Sequence, residues 1–514
     1  MKIAVVTFLA ALALAPAAAA AQPNVILIVT DDQRWDTLAY MPTVTAELVG
    51  KGVTFSNAFV VDPVCCPSRS SILTGLHSHS HGVWGISPPY GGFGRFRDSS
   101  TLPVWLDSVG YETALVGKYL NGYVDAPYVP PGWDRWFANT RHPNHYFEWE
   151  ASNDGTEVTF GSEPADYSTD VLAARAVEFI RASTEPLFLY FAPKAPHRPF
   201  TPAPRHKGEF EELEPWRPPS WNEENLADKP RYMRSRERPA SIFDRMRQGQ
   251  LESLLAVDEA IADLLAALRE TRKLRDTLII FTSDNGFLWG EHRKAHKLVP
   301  YEESIRVPLV VRWDALDVPA RTAPQTALNI DLAETVAAAA GIAVPTEGRN
   351  LLPLVLGTSA RGRTSFLFEH FAQPWRVPSY CAFRGQRWKY VQYATGEEEL
   401  YDLRRDPYEL RSEHRARRAL IMGFRRRVRR SACRPPLGYQ PLTLCTRTGT
   451  DGPDRMRGWK RSDWLCAGRG GDRINVLRGG KDAVRCGPGS DRVRADRRDV
   501  LIGCELRGRR LPLR

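Results

Sequence analysis

Cys65 opens the run Cys65-Cys66-Pro67-Ser68-Arg69-Ser70-Ser71-Ile72-Leu73-Thr74-Gly75. One reading of such a thiol is a structural half-cystine. The other is a precursor that a maturation enzyme converts into an aldehyde nucleophile. Ser68 to Leu73 can start a helix with Pro67 near its first turn. A helix amino terminus favours anions and lowers a thiol pKa. Arg69 adds a charged planar fork suited to a tetrahedral oxyanion. Two further groups, Asp31-Asp32 and Asp284-Asn285, offer carboxylate and amide oxygens, the donors that hard cations such as Ca²⁺ prefer. One Asp-Asp pair alone reads as a helix cap or turn; two such groups at two strand ends read as a metal site. Lys118, His197, His292 and Lys297 bring cations. Taken singly each is an ordinary surface or core residue. Gathered around one nucleophile and one metal, they suit a polyanionic ester.

The elements that must gather them are legible. Asn24 to Thr30 and Thr277 to Thr282 are continuous apolar, β-branched runs, the pattern of strands buried on both faces. Asp31-Asp32 follows the first run and Asp284-Asn285 the second. Strands also fit Glu112 to Val116, ahead of Lys118, Pro186 to Phe191, ahead of His197, and Val307 to Arg312. Leu251 to Leu268 has helical periodicity. Strands alternating with helices imply a doubly wound α/β domain, whose ligand crevice lies at the carboxyl ends of its strands. After Leu351, the segments Cys381–Arg384, Trp388–Tyr393 and Glu399–Leu403 read as an antiparallel meander. The expected organisation is a leader over 1–21, a catalytic domain over 22–350, a smaller α+β subdomain over 351–430 and a tail over 431–514.

Cys65, Pro67, Ser68, Arg69, Leu73, Thr74 and Gly75 reproduce Cys-x-Pro-Ser-Arg-x-x-x-Leu-Thr-Gly, so the chain resembles the type I sulfatases. The similarity runs from about Pro23 to about Arg418. It takes in Thr30-Asp31-Asp32-Gln33, Gly117-Lys118, Ala195-Pro196-His197, Ser283-Asp284-Asn285-Gly286, Gly290-Glu291-His292 and Pro300 to Pro308. Cys65-Cys66-Pro67-Ser68-Arg69 with Gly117-Lys118-Tyr119-Leu120-Asn121 looks most like the branch of N-acetylglucosamine-6-sulfatases and extracellular heparan endosulfatases. The resemblance implies an alkaline-phosphatase-like fold. It also implies that a formylglycine-generating enzyme oxidises Cys65 to formylglycine, whose hydrate attacks sulfur and later expels sulfate. By the same resemblance Asp31, Asp32, Asp284 and Asn285 bind one Ca²⁺ together with residue 65, and the metal polarises nucleophile and sulfate. Arg69 stabilises the nucleophile. Lys118, His197 and Lys297 bind sulfate oxygens, and His197 or Lys297 protonates the leaving oxygen. Ser68 and Pro67 also belong to the sequence that the modifying enzyme recognises. One departure stands out. Many sulfatases carry a His two residues after the Lys matched by Lys118, and here that place is Leu120; Asn121, His79, His81 and His145 are the candidate substitutes.

Composition sets the compartment. Lys2, the apolar run Ile3 to Leu14 and the small residues Ala17 to Ala21 read as a secretory signal. No later stretch reaches roughly 18 apolar residues, so no transmembrane segment is expected. The protein is expected to be secreted, extracellular or periplasmic, where disulfides persist. Six of its eight cysteines (Cys381, Cys433, Cys445, Cys466, Cys486, Cys504) fall in the last third. Net charge is +10, with Arg crowding the chain after Arg404. An exported basic tail points to anionic envelope polymers or glycans, and no nucleic-acid-binding motif is present. Asp454, Asp463, Asp472, Asp482 and Asp491 recur at spacings of 9, 9, 10 and 9, a period that resembles, in degraded form, the calcium-binding β-roll repeats of exported bacterial proteins. The substrate expected is a sulfated carbohydrate or aryl sulfate. Two rivals stay open: a phosphonate or phosphodiester hydrolase on the same fold, and a non-enzymatic protein that binds envelope through its tail. The sugar would be chosen by loops such as Tyr90 to Asp98 and Arg141 to Glu150.

Overall fold

The computed structural model describes residues 22–140, 145–183, 186–371 and 377–434, and the backbone of short strands between 466 and 510. The leader and the five periodic tail aspartates lie outside the described residues. Ten strands form the main sheet: β1 (Asn24–Thr30), β2 (Val53–Phe59), β3 (Glu112–Gly117), β4 (Arg135–Asn139), β5 (Trp149–Asn153), β6 (Thr156–Phe160), β7 (Leu187–Ala192), β8 (Thr277–Ser283), β9 (Leu309–Arg312) and β10 (Arg321–Leu328). Their order is β10-β2-β9-β8-β1-β7-β3-β4-β5-β6. The block β8-β1-β7-β3-β4 is parallel, while β9 runs antiparallel to both its neighbours.

Every residue of β1, β7 and β8 is buried, because helices cover both faces. In β1, Ile26 and Ile28 enter the core under the helices Ser168–Ala182 and Ala240–Glu270. Val25, Leu27 and Val29 enter the opposite core with Ile72 and Leu73 of the helix Cys65–Thr74. Side chains alternate between faces along a strand, so a strand with two dry faces reads as an unbroken apolar run. This is the doubly wound α/β arrangement that the runs predict.

The second sheet is antiparallel, with order β11 (Ser365–His370), β12 (Tyr380–Gly385), β13 (Trp388–Tyr393) and β14 (Glu398–Asp402). It contains the expected three-stranded meander and one further edge strand. Phe366, Phe368, Tyr380 and Tyr401 pack against Phe59, Val61, Tyr301 and Ile305 of the larger unit. Glu399 is buried at this junction and accepts hydrogen bonds from Tyr301 (2.7 Å), Tyr393 (2.5 Å) and Tyr401. A disulfide joins Cys381 of β12 to Cys433, beyond the last helix Arg418–Arg430. Within that helix Arg425 pairs with Glu398 at 2.5 Å and Arg427 lies over Phe383, so part of the arginine run is spent on packing. Arg426, Arg429 and Arg430 remain exposed. In the tail, Val476–Leu477, Ala483–Val484, Arg492–Arg494, Gly503–Leu506 and Arg509–Arg510 pair antiparallel in sequence order. Among the described residues no helix is long and apolar enough to cross a membrane.

Candidate active site

Strand ends and one helix terminus bring the separated clusters to one place. Asp31 and Asp32 follow β1, Asp284 and Asn285 follow its neighbour β8, Lys118 follows β3, and His197 follows β7. Gly117 lets β3 end against β7: its φ is +122°, and a Cβ there would lie 2.2 Å from the Ala192 carbonyl oxygen. The helix Cys65–Thr74 points its amino terminus at the same spot. Its fourth residue after Cys65 is Arg69, one turn on and on the same face. Ser68 is buried and accepts a hydrogen bond from Asn329 Nδ2 at 2.9 Å, so it packs as well as spelling the motif.

The contacts are dense. Asp32 takes a left-handed backbone (φ 69°), and its N–H donates to Asp284 Oδ1 at 3.2 Å. Asn285 Nδ2 donates to Asp32 Oδ1 at 2.7 Å. Arg69 Nε donates to Asp284 Oδ2 at 2.8 Å, and its Nη1 donates to the Lys118 carbonyl at 2.9 Å. Lys118 Nζ donates to Asp31 Oδ2. Lys297 Nζ contacts Asp32 Oδ1 and lies 2.7 Å from Cys65 Sγ. His197 Nε2 is 3.8 Å from Asp32 Oδ2. One ligand atom from each of Asp31, Asp32, Cys65 and His197 falls within 4.8 Å of the others. Nine of the ten residues singled out in the sequence therefore meet in one cluster, and His292 lies apart from it.

Burial and charge set their protonation. Burial works to raise the Asp31 pKa, but Lys118, His197, Lys297 and Arg69 override it and hold the carboxyl well below its ordinary range. Asp284 goes the other way: burial and the Asp31 charge push it up to about 6, against the pull of Arg69. Burial opposes the Lys297 ammonium, yet Asp32, Cys65 and Asp31 hold its pKa well above the usual value. Burial lowers His197, and Asp31 and Asp32 offset this only in part. His197 Nδ1 is 2.8 Å from the Arg198 carbonyl. A carbonyl only accepts, so Nδ1 carries the proton and the neutral ring turns an unprotonated Nε2 to the site.

The buried polar atoms left without a hydrogen-bond partner show what the site can hold. Asp31 Oδ1 and Asn285 Oδ1 are buried acceptors without a hydrogen-bond partner, and Arg69 Nη2 and Lys194 Nζ are buried donors without one. Buried polar atoms are normally satisfied. A hard cation would satisfy the two oxygens, and an anion oxygen would satisfy Arg69. The donor set therefore fits Ca²⁺ held by Asp31, Asp32, Asp284 and Asn285.

Two expectations change. The Cys65 thiol is not acidified by the helix terminus; burial pushes it up to about 11 despite Lys118 and Lys297, because the site is dry and carries its own carboxylates. His292 is no cation: it is fully buried, stacks on Tyr301 at 4.2 Å and meets Glu223 at 2.6 Å through Nδ1, and burial drives its pKa to about 3. Leu120 belongs to the apolar core beside Tyr119 and Tyr123, so position 120 carries packing here. Of the proposed substitutes, His79 is tied to Glu369 and His81 to Ser71, while His145 Nδ1 lies 3.3 Å from the Glu148 carbonyl.

Sequence reasoning missed Lys194. It is 1% exposed, its Nζ sits 4.2 Å over the Tyr146 ring, and burial lowers its pKa to about 6 within reach of the Asp31 and Lys118 charges. Tyr146 donates its hydroxyl to the His197 carbonyl at 2.7 Å, and Gln250 of the long helix reaches the Pro196 carbonyl at 3.4 Å. The available signal was Lys194's place in Ala192-Pro193-Lys194-Ala195-Pro196-His197, two residues past a buried strand.

Comparison with known proteins agrees with this geometry. Residues 23–342 match the Sulfatase family model, and residues 290–428 match that of the N-sulphoglucosamine sulphohydrolase C-terminal region. Human N-acetylglucosamine-6-sulfatase is 34% identical over 371 residues, covering 67% of this chain and 66% of that protein. A Volvox carteri arylsulfatase is 31% identical over 484 residues, covering 80% and 74%. A putative extracellular sulfatase Sulf-1 homolog of Caenorhabditis elegans is 36% identical over 351 residues, 65% of this chain, and the chain spans about half (49%) of its length. Among solved structures, a protein in complex with its substrate D-glucosamine-2-N,6-O-disulfate superposes with a TM-score of 0.69 at 24% identity, covering 82% of this chain and 99% of that one. The phosphonate monoester hydrolase of Agrobacterium radiobacter gives 0.64 at 20% identity, covering 79% and 94%. The family match over more than half of its length establishes that this chain belongs to the sulfatase family.

Proposed function

We propose that the protein is an exported, Ca²⁺-dependent sulfuric ester hydrolase that releases sulfate from a sulfated carbohydrate of the N-acetylglucosamine-6-sulfate class. The observation that carries this reading is the set of unsatisfied buried atoms beside Cys65: Asp31 Oδ1 and Asn285 Oδ1 call for a cation, and Arg69 Nη2 calls for an anion. Family membership and the human 6-sulfatase relative support the substrate class. The described disulfide supports an oxidising compartment.

Formylglycine at position 65 supplies, as its hydrate, a nucleophile that can also release the sulfate it captures. Asp31, Asp32, Asp284 and Asn285 would hold Ca²⁺, which would supply charge to polarise the ester. This chain's own residues do the remaining work. Arg69, anchored by Asp284 and by the Lys118 carbonyl, fixes residue 65 from one helical turn away. Lys118 and Lys297 stay cationic and receive the sulfate oxygens. Lys297, already beside Sγ, and His197 in its imidazolium state are the two groups that can hand a proton to the leaving oxygen. The neutral His197 tautomer cannot, because its Nε2 carries no proton. The exposed arginines of the last helix and the basic tail offer a holding surface for anionic polymer.

The test is sulfate release from N-acetylglucosamine 6-sulfate and from an aryl sulfate, with phenylphosphonate in parallel. Release from both sulfates that disappears with EDTA and returns with Ca²⁺ is expected. Turnover of phenylphosphonate alone would transfer the assignment to the phosphonate hydrolases on this fold.

A further inference from the structure

The helix Cys65–Thr74 leads into a tight return, Gly75 to Gly82, that carries His77, His79 and His81. His81 is buried against Ser71. His77 and His79 stack with ring centroids 5.2 Å apart and planes 26° from parallel. Facing them is Glu347. One ligand atom from each of His77, His79 and Glu347 lies within 4.8 Å of the others. None of the three belongs to the Cys65 cluster.

The return is built rather than draped. Glu347 N–H donates to the Gly75 carbonyl at 2.9 Å, and the His77 N–H donates to Glu347 Oε2 at 2.9 Å. Ser80 Oγ donates to Glu347 Oε1 at 2.5 Å. Gly75 has φ +68°, and a Cβ there would lie 2.6 Å from Thr346 Cγ2, so glycine is what permits this approach. Behind His79 stands Glu369, a fully buried carboxylate whose two oxygens are each 2.8 Å from Nδ1 and one of which also accepts the His79 N–H at 2.9 Å. A carboxylate accepts, so Nδ1 of His79 carries a proton, and Nε2 is the nitrogen that can ligate once the ring is neutral. A carboxylate behind an imidazole is the support that orients metal-binding histidines and raises their basicity. The side chains of His77 and His79 are 14% and 11% exposed and that of Glu347 is 36% exposed, so an ion has access from solvent.

We propose that His77, His79 and Glu347 bind a divalent transition ion of the Zn²⁺ class, at a site distinct from the Cys65 centre. Two imidazoles and one carboxylate suit Zn²⁺ and its first-row neighbours, whereas Ca²⁺ takes oxygen ligands. Such an ion leaves a position for water and ties the Gly75–Gly82 return to the Thr346–Gly348 segment. Its role is to clamp, and it takes no part in ester hydrolysis.

The test uses the full chain preloaded with Ca²⁺ and titrated with Zn²⁺ against a chromophoric chelator, comparing wild type with His77→Gln and Glu347→Gln. Both substitutions lie at the surface and spare buried Glu369. Wild type should bind one more Zn²⁺ per chain than either variant, or bind that ion at least about 10-fold more tightly, with aryl sulfate turnover alike in all three. Co²⁺ in place of Zn²⁺ should give a tetrahedral visible absorption in wild type that both variants lose. Equal Zn²⁺ stoichiometry and affinity in the three proteins, with no Co²⁺ band that depends on His77 or Glu347, would mean that His77 Nδ1 and Glu347 Oε2, 2.6 Å apart, form an ion pair only and would overturn the proposal.

Discussion

The Cys65 centre and the His77 cluster stand at the two ends of one stretch of chain, and they solve opposite problems. At Cys65, three carboxylates, two lysines and an arginine are packed where water is nearly excluded. Charges in such a place are costly unless each has a partner, and the partners come from β1, β8, β3 and a helix start. At His77 the groups are two imidazoles near the surface and one exposed carboxylate, held between the Gly75–Gly82 return and the loop carrying Glu347 by a few hydrogen bonds. The first site therefore depends on the whole parallel sheet. The second depends on a glycine turn and one neighbouring loop. Damage should propagate far from the first and little from the second.

That contrast can be broken in graded steps. Cys65→Ala should leave the fold intact and lower sulfate release by roughly 10⁴-fold or more, the scale of losing a nucleophile; steady-state turnover checks it. Arg69→Ala removes the buried partner of Asp284 and should destabilise the protein by about 3–5 kcal/mol, the usual result of leaving a buried charge alone, read by denaturant unfolding. Lys194→Met removes a buried amine that has no hydrogen-bond partner and rests on the Tyr146 ring. Its pKa falls from an ordinary 10.5 to about 6 on folding, so between those values the unfolded chain binds the extra proton and wild-type stability rises with pH. The advantage of Lys194→Met should thus be largest below about pH 6 and shrink toward pH 10, at no more than about 1.4 kcal/mol per pH unit; unfolding at a series of pH values decides. At the rim, His77→Gln in metal-free buffer should change stability by less than about 1 kcal/mol. A loss as large as that of Arg69→Ala would erase the distinction between the two regions.

The central sheet was legible because its strands are buried on both faces and carry unbroken apolar runs. Within the candidate site, Asp31, Asp32, Asp284, Asn285 and Lys118 were legible because they stand at the ends of those runs, and Cys65 and Arg69 because they belong to the motif. The edges were not. β10 contains Pro324 and a register shift between Ala323 and Thr326, which a single proline hides from any strand pattern. The β5–β6 hairpin turns through Asp154 and Gly155, both at positive φ, and that Asp-Gly signal was present but unread. The helix Ala240–Glu270 begins eleven residues before the periodic stretch, because its early part buries Arg247 and Gln250 against backbone carbonyls alongside only two large apolar side chains, Phe243 and Met246. Protonation was the least legible property. The helix terminus suggested an acidic thiol, while the folded site is dry enough to push Cys65 to about 11.

The most direct test of formylglycine at position 65 joins activity to chemistry on one sample. Protein expressed with its native maturation machinery is assayed for sulfate release, then digested, and the peptide containing position 65 is weighed. The account predicts that active enzyme carries an aldehyde at position 65, with activity proportional to the converted fraction. Full activity from protein whose Cys65 is wholly an intact thiol would contradict it.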